Sequence, residues 1–183
     1  ALGVGFFAGL RVTKPAMIQT AETYITDHAL YDFRLLSTLG FTVEDVGAFA
    51  ELEGIKSAAG SISTDALLID SEGAEAVYKL HSLTEGINTP SLVSGEMPSE
   101  ANECLADARR FSEEDIGKAL VVSDGDWDGA EMLAYDTYVI TGLIHSPNYL
   151  NTERGISSLG NGSVTAFLYL PEASFDTEYY TEI

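Results

Sequence analysis

GFTVEDVGAFAELEG, residues 40–54, contains the clearest helix signal in this chain. Thr42 is a good N-cap residue, and Asp45 follows it at the third helical position, a spacing typical of a capping box. The apolar residues between them and beyond recur with helical spacing. Gly54 is expected to close the helix as its C′ glycine. The segment therefore predicts a short amphipathic helix that begins directly after Thr42.

Three further elements flank this helix. Apolar residues with helical spacing over residues 15–28 predict an earlier helix, with Pro15 in its first turn. Residues 31–39 alternate between apolar and polar side chains and predict a strand. Residues 55–69 alternate between small and apolar side chains and predict a longer one. The order helix, strand, helix, strand predicts a small α/β unit.

The pattern changes after this unit. Short apolar or alternating runs are separated by Gly, Asn, Asp, Ser and Pro, which is typical of strands joined by tight turns. Six such strands are expected, at residues 76–83, 91–95, 103–106, 119–123, 138–144 and 164–170. The sequence therefore predicts an α+β fold in which a small α/β subdomain carries an inserted, mostly β lobe.

Composition excludes several classes of protein. The chain has 183 residues, of which 45% are hydrophobic, so it can bury a core and is not globally disordered. Its net charge of −20 argues against a nucleic-acid binder, which needs clustered cations to neutralise phosphates. The same charge disfavours docking on an anionic lipid surface. Cys104 is the single cysteine, which excludes an internal disulfide and a cysteine-based zinc site.

The first ten residues are all apolar or glycine, and Arg11 and Lys14 follow them. They are either a buried first element or the outer end of a membrane span. Ten helical residues rise only about 15 Å, roughly half of a hydrocarbon core. Two cations directly after the run suit the headgroup level, which favours the membrane alternative. Residues 178–183 resemble the start of a strand, so we expect the chain to be part of a longer protein.

One acidic segment is a candidate metal site. Asp124, Asp126 and Asp128 alternate and are followed by Gly129, which is how a calcium loop opens. The bidentate acid of such a loop would fall at Tyr135, which is not an acid. The segment is therefore either a solvated turn between two strands, which the mismatch favours, or a calcium site.

The sequence contains no catalytic motif. His28, His81 and His145 have no metal-ligand spacing, and an ordinary hydrogen-bonded role is expected for His81 and His145. Cys104 has acidic neighbours, which raise rather than lower a thiol pKa, so a buried small residue is expected there. Nucleophile-elbow and phosphate-loop patterns are missing from the sequence. A hydrolase that uses Cys104 or His81 is the remaining enzymatic alternative.

The order of several weak motifs is more informative than any one of them. They are GLRVTKPAM at 9–17, YDFRLLSTLG at 31–40, EGIK at 53–56, PSLVSGEMP at 90–98, NEC at 102–104, and HSPNYL at 145–150 with ERG at 153–155 and GNG at 160–162. In this order they resemble the extracytoplasmic, MacB-like periplasmic core domain of an FtsX-like ABC transporter permease of the Gram-positive type. The resemblance covers nearly the whole chain.

The resemblance implies a division of the chain into four parts. Residues 1–12 would be the end of a transmembrane helix, and residues 13–63 the first half of a porter-like α/β subdomain. Residues 64–171 would form a β-rich, sabre-like lobe, and residues 172–183 would return towards the porter-like subdomain. The remaining strands of that subdomain would be missing, so an unpaired strand edge is expected.

The resemblance also implies a function. Such a domain is a non-catalytic, extracytoplasmic part of a membrane permease, and it works by mechanotransmission. A separate cytoplasmic ABC ATPase would drive the transmembrane helices, and the domain would couple that movement to a lipid, lipoprotein or peptide substrate or to an envelope partner. It implies no cofactor and no site residues. The alternative class is a calcium-dependent extracellular binding module, based on Asp124, Asp126 and Asp128.

Overall fold

The computed structural model describes the backbone of residues 2–125 and 127–183, and within these all side chains except those of residues 2–10 and 12. Helix α1 spans Leu2–Asp27 and helix α2 spans Val43–Ala50. The strands are β1 Leu36–Phe41, β2 Ser63–Ile69, β3 Glu75–Ser82, β4 Ser91–Gly95, β5 Glu103–Asp107, β6 Ala119–Val122, β7 Thr137–His145, β8 Val164–Leu170 and β9 Tyr180–Glu182. The α+β prediction is confirmed, because the described residues form a seven-stranded sheet, a two-stranded sheet and two α-helices.

Strands β2 to β8 form one sheet that closes on itself. Its order is β4-β7-β5-β8-β3-β2-β6, and β6 also pairs with β7. The long strand β7 makes this possible, because residues 137–139 pair with β6 whereas residues 142–145 pair with β4 on the same edge. Six strands therefore form a closed barrel, and β4 extends it beside β7. Closure leaves the six barrel strands without a free edge, whereas β4 pairs only with β7 among the described residues.

The barrel interior is the core of the protein. Each of the six barrel strands has almost fully buried residues, and in β3, β5 and β8 consecutive residues are buried, so both faces of these three strands are covered. Tyr138 lies in this core, and its hydroxyl donates to the carbonyl oxygen of Ser174 at 2.9 Å, which satisfies its polar end. The other core side chains include Ile62, Leu68, Leu80, Cys104, Leu120, Ile140 and Leu168.

A second, smaller unit lies outside the barrel. Strand β9 pairs antiparallel with β1, and its other side meets Ser61 in an isolated bridge. Helix α2 follows β1 directly. Asp45 N donates to Thr42 Oγ1 at 3.2 Å and Thr42 N donates to Asp45 Oδ2 at 2.8 Å, so the predicted capping box is confirmed. The domain boundaries implied by the resemblance stay predictions.

The six strands expected after residue 75 are confirmed, and β8 has the expected bounds. The first elements differ from expectation. Helix α1 begins at Leu2, so Pro15 lies inside it rather than in its first turn, where proline removes one backbone hydrogen bond. Residues 2–14 contain no Asn, Asp, Ser or Pro, and the helix continues through their glycines.

Two strands and one helix end are also shifted. The strand expected at 31–39 begins five residues later, at Leu36, and continues through Gly40, whose φ of +81° accompanies an irregular register with β9. The strand expected at 55–69 begins at Ser63, because residues 55–60 run as a connection without strand pairing. Helix α2 ends at Ala50, so Gly54, at a φ of +91°, ends the following turn rather than the helix.

Candidate functional site

The end of helix α1 is hydrogen-bonded to the loop that precedes β4. Asn88 N donates to the carbonyl oxygen of Ala29, and Thr89 N donates to that of His28, both at 3.0 Å. Tyr31 N donates to Asn88 Oδ1 at 3.1 Å. Two of these bonds join backbone to backbone and the third uses the Asn88 side chain, all across about sixty residues of sequence, so they hold the helix end against the loop that leads into β4.

Both residues at the centre of this junction have an uncommon backbone conformation. Ala29 has a φ of +46° and Asn88 a φ of +53°, and they are the two non-glycine residues with positive φ in the described part of the chain. An alanine in this region costs about 1 kcal/mol, whereas asparagine tolerates it better. The surrounding hydrogen bonds must therefore hold Ala29 in place, and such strain is common at functional joints.

His28 contacts the barrel through both nitrogens of its ring. Its Nδ1 lies 2.8 Å from the carbonyl oxygen of Thr89, which requires Nδ1 to carry the proton and donate. Its Nε2 lies 3.2 Å from Ser91 Oγ at the start of β4. The Tyr24 ring packs against the imidazole with centroids 4.4 Å apart. His28 is thus the side chain that ties α1 to β4.

A cavity of about 350 Å³ lies beside the junction. Its wall comes from residues 29–35, the segment after α2, residues 84–88 and the end of β9. Arg34 pairs with Glu182 at its edge, and the Arg34 Nε donates to Glu182 Oε2 at 2.5 Å. Nearby apolar side chains are exposed, with Leu36 at 69% and Leu39 at 91%. Strand β1 therefore presents apolar side chains and an edge that pairs with no strand of the described residues.

The structure does not assemble a metal site from the residues it describes. Asp124 and Asp128 lie in the loop between β6 and β7, which Trp127 closes by donating its Nε1 proton to the carbonyl oxygen of Ser123 at 3.2 Å. Asp126 lies outside the described residues. Among residues 2–125 and 127–183, no three His, Cys, Asp or Glu side chains are grouped as metal ligands. The calcium site therefore stays a prediction.

Cys104 and His81 are buried in positions that do not suit catalysis. Cys104 is fully buried in β5, and burial, with the charge of Glu103, raises the pKa of its thiol to about 12. The expectation of a small buried residue with a raised thiol pKa is confirmed. Burial likewise lowers the pKa of His81 to about 3, and its Nε2 lies 2.7 Å from the Tyr149 hydroxyl. Neither group is available as a nucleophile or a base near neutral pH.

No sequence-family model and no curated protein sequence matches this chain. Solved structures do match it. The extracellular domain of the noncanonic ABC-type transporter YknZ from Gram-positive bacteria superposes with a TM-score of 0.50 and 14% identity, over 80% of this chain and 72% of the other. The two share a fold. The resemblance inferred from the ordered motifs is confirmed at this level.

Two other solved structures are less similar. A domain of a Porphyromonas gingivalis protein described as a permease has a TM-score of 0.44 and 16% identity, over 73% of this chain and 52% of that one. The periplasmic region of MacB from Actinobacillus actinomycetemcomitans has a TM-score of 0.41 and 13% identity, over 76% of this chain and 57% of that one.

Of the helices in the described residues, neither is long and apolar enough to cross a membrane.

Sequence reasoning missed the α1 junction. Its contacts join residues 61 positions apart, and no local pattern encodes that pairing. The one available signal was the GINTP segment, residues 86–90, which is typical of a turn with left-handed residues. That signal indicates a turn but not what the turn contacts.

Proposed function

We propose that this chain is the non-catalytic extracellular domain of an ABC transporter permease. The observation that carries the proposal is the fold it shares with the extracellular domain of YknZ, over 80% of its length. The burial of Cys104 and His81 is consistent with a role that needs no chemistry outside the membrane. A separate cytoplasmic ABC ATPase is the expected partner.

In this proposal helix α1 is the moving part. At 1.5 Å per residue, its 26 residues extend about 39 Å, long enough to link a membrane surface to the barrel. Residues 1–12 would lie at the outer end of a membrane span, and the junction at His28 would pass helix movement to β4. The barrel would then act on a lipid, lipoprotein or peptide substrate or on an envelope partner.

The complete reading frame that encodes this chain tests the membrane part of the proposal. We expect an apolar extension upstream of Ala1 and an apolar span of about 20 residues downstream of Ile183. A frame that encodes neither span would contradict a permease. The neighbouring genes provide a second check, because a permease of this class needs an ABC ATPase.

Amide hydrogen exchange tests the coupling at the junction. In a His28→Ala variant the Asn88 and Thr89 amides should exchange faster, because the side chain that holds their acceptors against β4 is gone. Thr26→Ala is the matched control, since Thr26 Oγ1 bonds only within α1, to the Glu22 carbonyl oxygen at 2.8 Å. Unchanged exchange in His28→Ala would remove the junction from the mechanism.

The calcium-binding module remains the second candidate, based on Asp124, Asp126 and Asp128. A ligand that binds only the native state adds about 2.7 kcal/mol to the free energy of unfolding at a hundred times its Kd, and so raises the melting temperature. Melting in millimolar calcium, with magnesium at equal ionic strength as the control, separates specific binding from screening. A shift absent in both would exclude this candidate, and a calcium-specific shift that Asp124→Asn and Asp128→Asn abolish would support it.

A further inference from the structure

The hairpin that leads into β8 carries the GNG motif, residues 160–162, at its tip. An antiparallel bridge between Ile156 and Ser163 closes this hairpin. Asn161 is exposed, and it is the one asparagine of the sequence that precedes a glycine. The other asparagines precede Thr, Glu or Tyr. A following glycine leaves its backbone nitrogen open to the asparagine side chain, because glycine has no Cβ to hinder a close approach.

The side chain of Asn161 is folded back over its own turn. Asn161 Oδ1 accepts a hydrogen bond from Ser163 N at 3.0 Å. The ring that this bond closes runs through the side-chain carbonyl carbon Cγ and the Gly162 nitrogen, so it turns Cγ towards that nitrogen. Two groups that can react with each other gain rate when one chain holds them in position. The turn therefore brings an electrophilic carbon and a backbone nitrogen together.

The same hydrogen bond activates the Asn161 side-chain carbonyl. The Ser163 N–H withdraws electron density through Oδ1, and it would stabilise the negative charge that forms on Oδ1 when a nucleophile adds to Cγ. One contact opposes the reaction, because Gly162 N donates to the carbonyl oxygen of Leu159 at 2.9 Å and must release its proton before it can attack. That bond lies at the tip of an exposed hairpin, where local opening costs little free energy.

We propose that Asn161 is a modification site, at which the folded protein converts asparagine to aspartate and isoaspartate without an enzyme. The Gly162 nitrogen loses its proton and bonds to Asn161 Cγ, the Cγ–Nδ2 bond breaks, and ammonia leaves with a proton to give a cyclic imide. One water then adds to either imide carbonyl and breaks its bond to the Gly162 nitrogen, which regains a proton. Opening at Cγ gives aspartate, whereas opening at the main-chain carbonyl gives isoaspartate, whose backbone runs through Cβ and Cγ.

The modification changes the hairpin as well as its charge. Isoaspartate lengthens the backbone by one carbon inside a turn that two hydrogen bonds of Gly162 close, its N to the Leu159 carbonyl oxygen and its carbonyl oxygen to Ser157 N at 3.1 Å. Gly160 lies so close to β3 that a Cβ there would be 2.9 Å from Val77 Cγ2. The longer turn therefore loosens the hairpin from the barrel, and either product adds one negative charge. The site is independent of the permease proposal, since it rests on the turn alone.

Peptide mapping by mass spectrometry, after storage of the purified protein at neutral and at mildly alkaline pH, tests the site. Asn151 is the internal control, because it is exposed in the same connection between β7 and β8 but precedes Thr152, which has a branched Cβ. We expect conversion at Asn161 to be about tenfold faster or more than at Asn151, since only Asn161 has the reacting groups in position. The rate should rise with pH, because the attacking nitrogen must lose its proton, and both isomers should form.

Asn161→Gln is the matched variant. Its side chain is one carbon longer and would have to close a larger ring, so conversion at residue 161 should fall to the rate of Asn151 or below. Equal rates at Asn161 and Asn151 in the parent protein would overturn the proposal. Conversion of Asn161 in denaturant but not in the native protein would also overturn it, because the fold would then protect this residue. Aspartate as the only product would exclude the cyclic imide and overturn the mechanism.

Discussion

Asp107→Ala is the substitution whose effect the structure predicts most sharply. Asp107 and Arg154 are each 1% exposed, so removal of the carboxylate leaves a buried guanidinium without its counter-charge. Breaking such a pair costs about 3–5 kcal/mol. Asp107 Oδ1 also accepts from Arg109 N at 3.0 Å, and the loss of that bond adds about 1 kcal/mol.

Urea unfolding followed by far-ultraviolet circular dichroism measures this loss. The midpoint should fall while the slope against denaturant stays unchanged, because the substitution alters stability rather than the surface exposed on unfolding. A loss of about 4 kcal/mol corresponds to a melting temperature lower by roughly 8–16 °C for a chain of this size.

Asp115→Ala is the matched control for a carboxylate paired on the surface. Its partner Lys118 is 41% exposed and lies 2.7 Å away, and Asp115 Oδ2 also accepts from Ser112 N at 2.8 Å, so removal of Asp115 should cost about 1–2 kcal/mol. If Asp107→Ala costs no more than Asp115→Ala, the Arg154–Asp107 pair does not stabilise the fold as a buried ion pair.

Three further outcomes follow from single positions. Gly47 lies exposed inside α2 with open space where a Cβ would be, so Gly47→Ala should stabilise the protein by about 0.5–1 kcal/mol in urea unfolding. Gly95→Ala should destabilise it, because Gly95 has a φ of +81° and the new Cβ would clash with the Thr141 carbonyl oxygen. Cys104 should resist thiol reagents in the native protein at pH 8 and react fully in denaturant; fast native labelling would contradict its burial. Burial lowers the pKa of His81 to about 3, so between about pH 6.5 and pH 3 the unfolded chain binds a proton that the folded chain does not. Stability should therefore fall as the pH drops through this range. The unfolding midpoints of His81→Gln should depend less on pH than those of the parent.

The strands of the barrel were predictable because their signals are local. Val164–Leu170 is a run of apolar and β-branched residues between turn residues, and the structure has the same bounds. The capping box at Thr42 was predictable for the same reason, because its two partners are three residues apart. Ring closure through β6 and β7 was not predictable, since strand pairing depends on distant residues.

The His28 junction and the Arg154–Asp107 ion pair were beyond sequence reasoning. Arg154 was visible in the sequence only as part of the ERG motif at 153–155, yet its partner Asp107 lies 47 residues earlier in a strand. His28 had no ligand spacing, and its contacts are 61 and 63 residues away. In both cases the residue can be read from the sequence, whereas its hydrogen-bond partner is brought close only by the fold.

Membrane topology tests the central claim most directly. Cells that make the full-length protein, with an epitope inserted in the exposed segment at residues 160–162, would be converted to spheroplasts and treated with protease. An extracellular permease domain predicts that the epitope is in the membrane fraction, is cleaved in intact spheroplasts, and co-purifies in mild detergent with an ABC ATPase that stays protected inside. An epitope recovered in the cytosolic fraction, or cleaved only after lysis, would contradict the account.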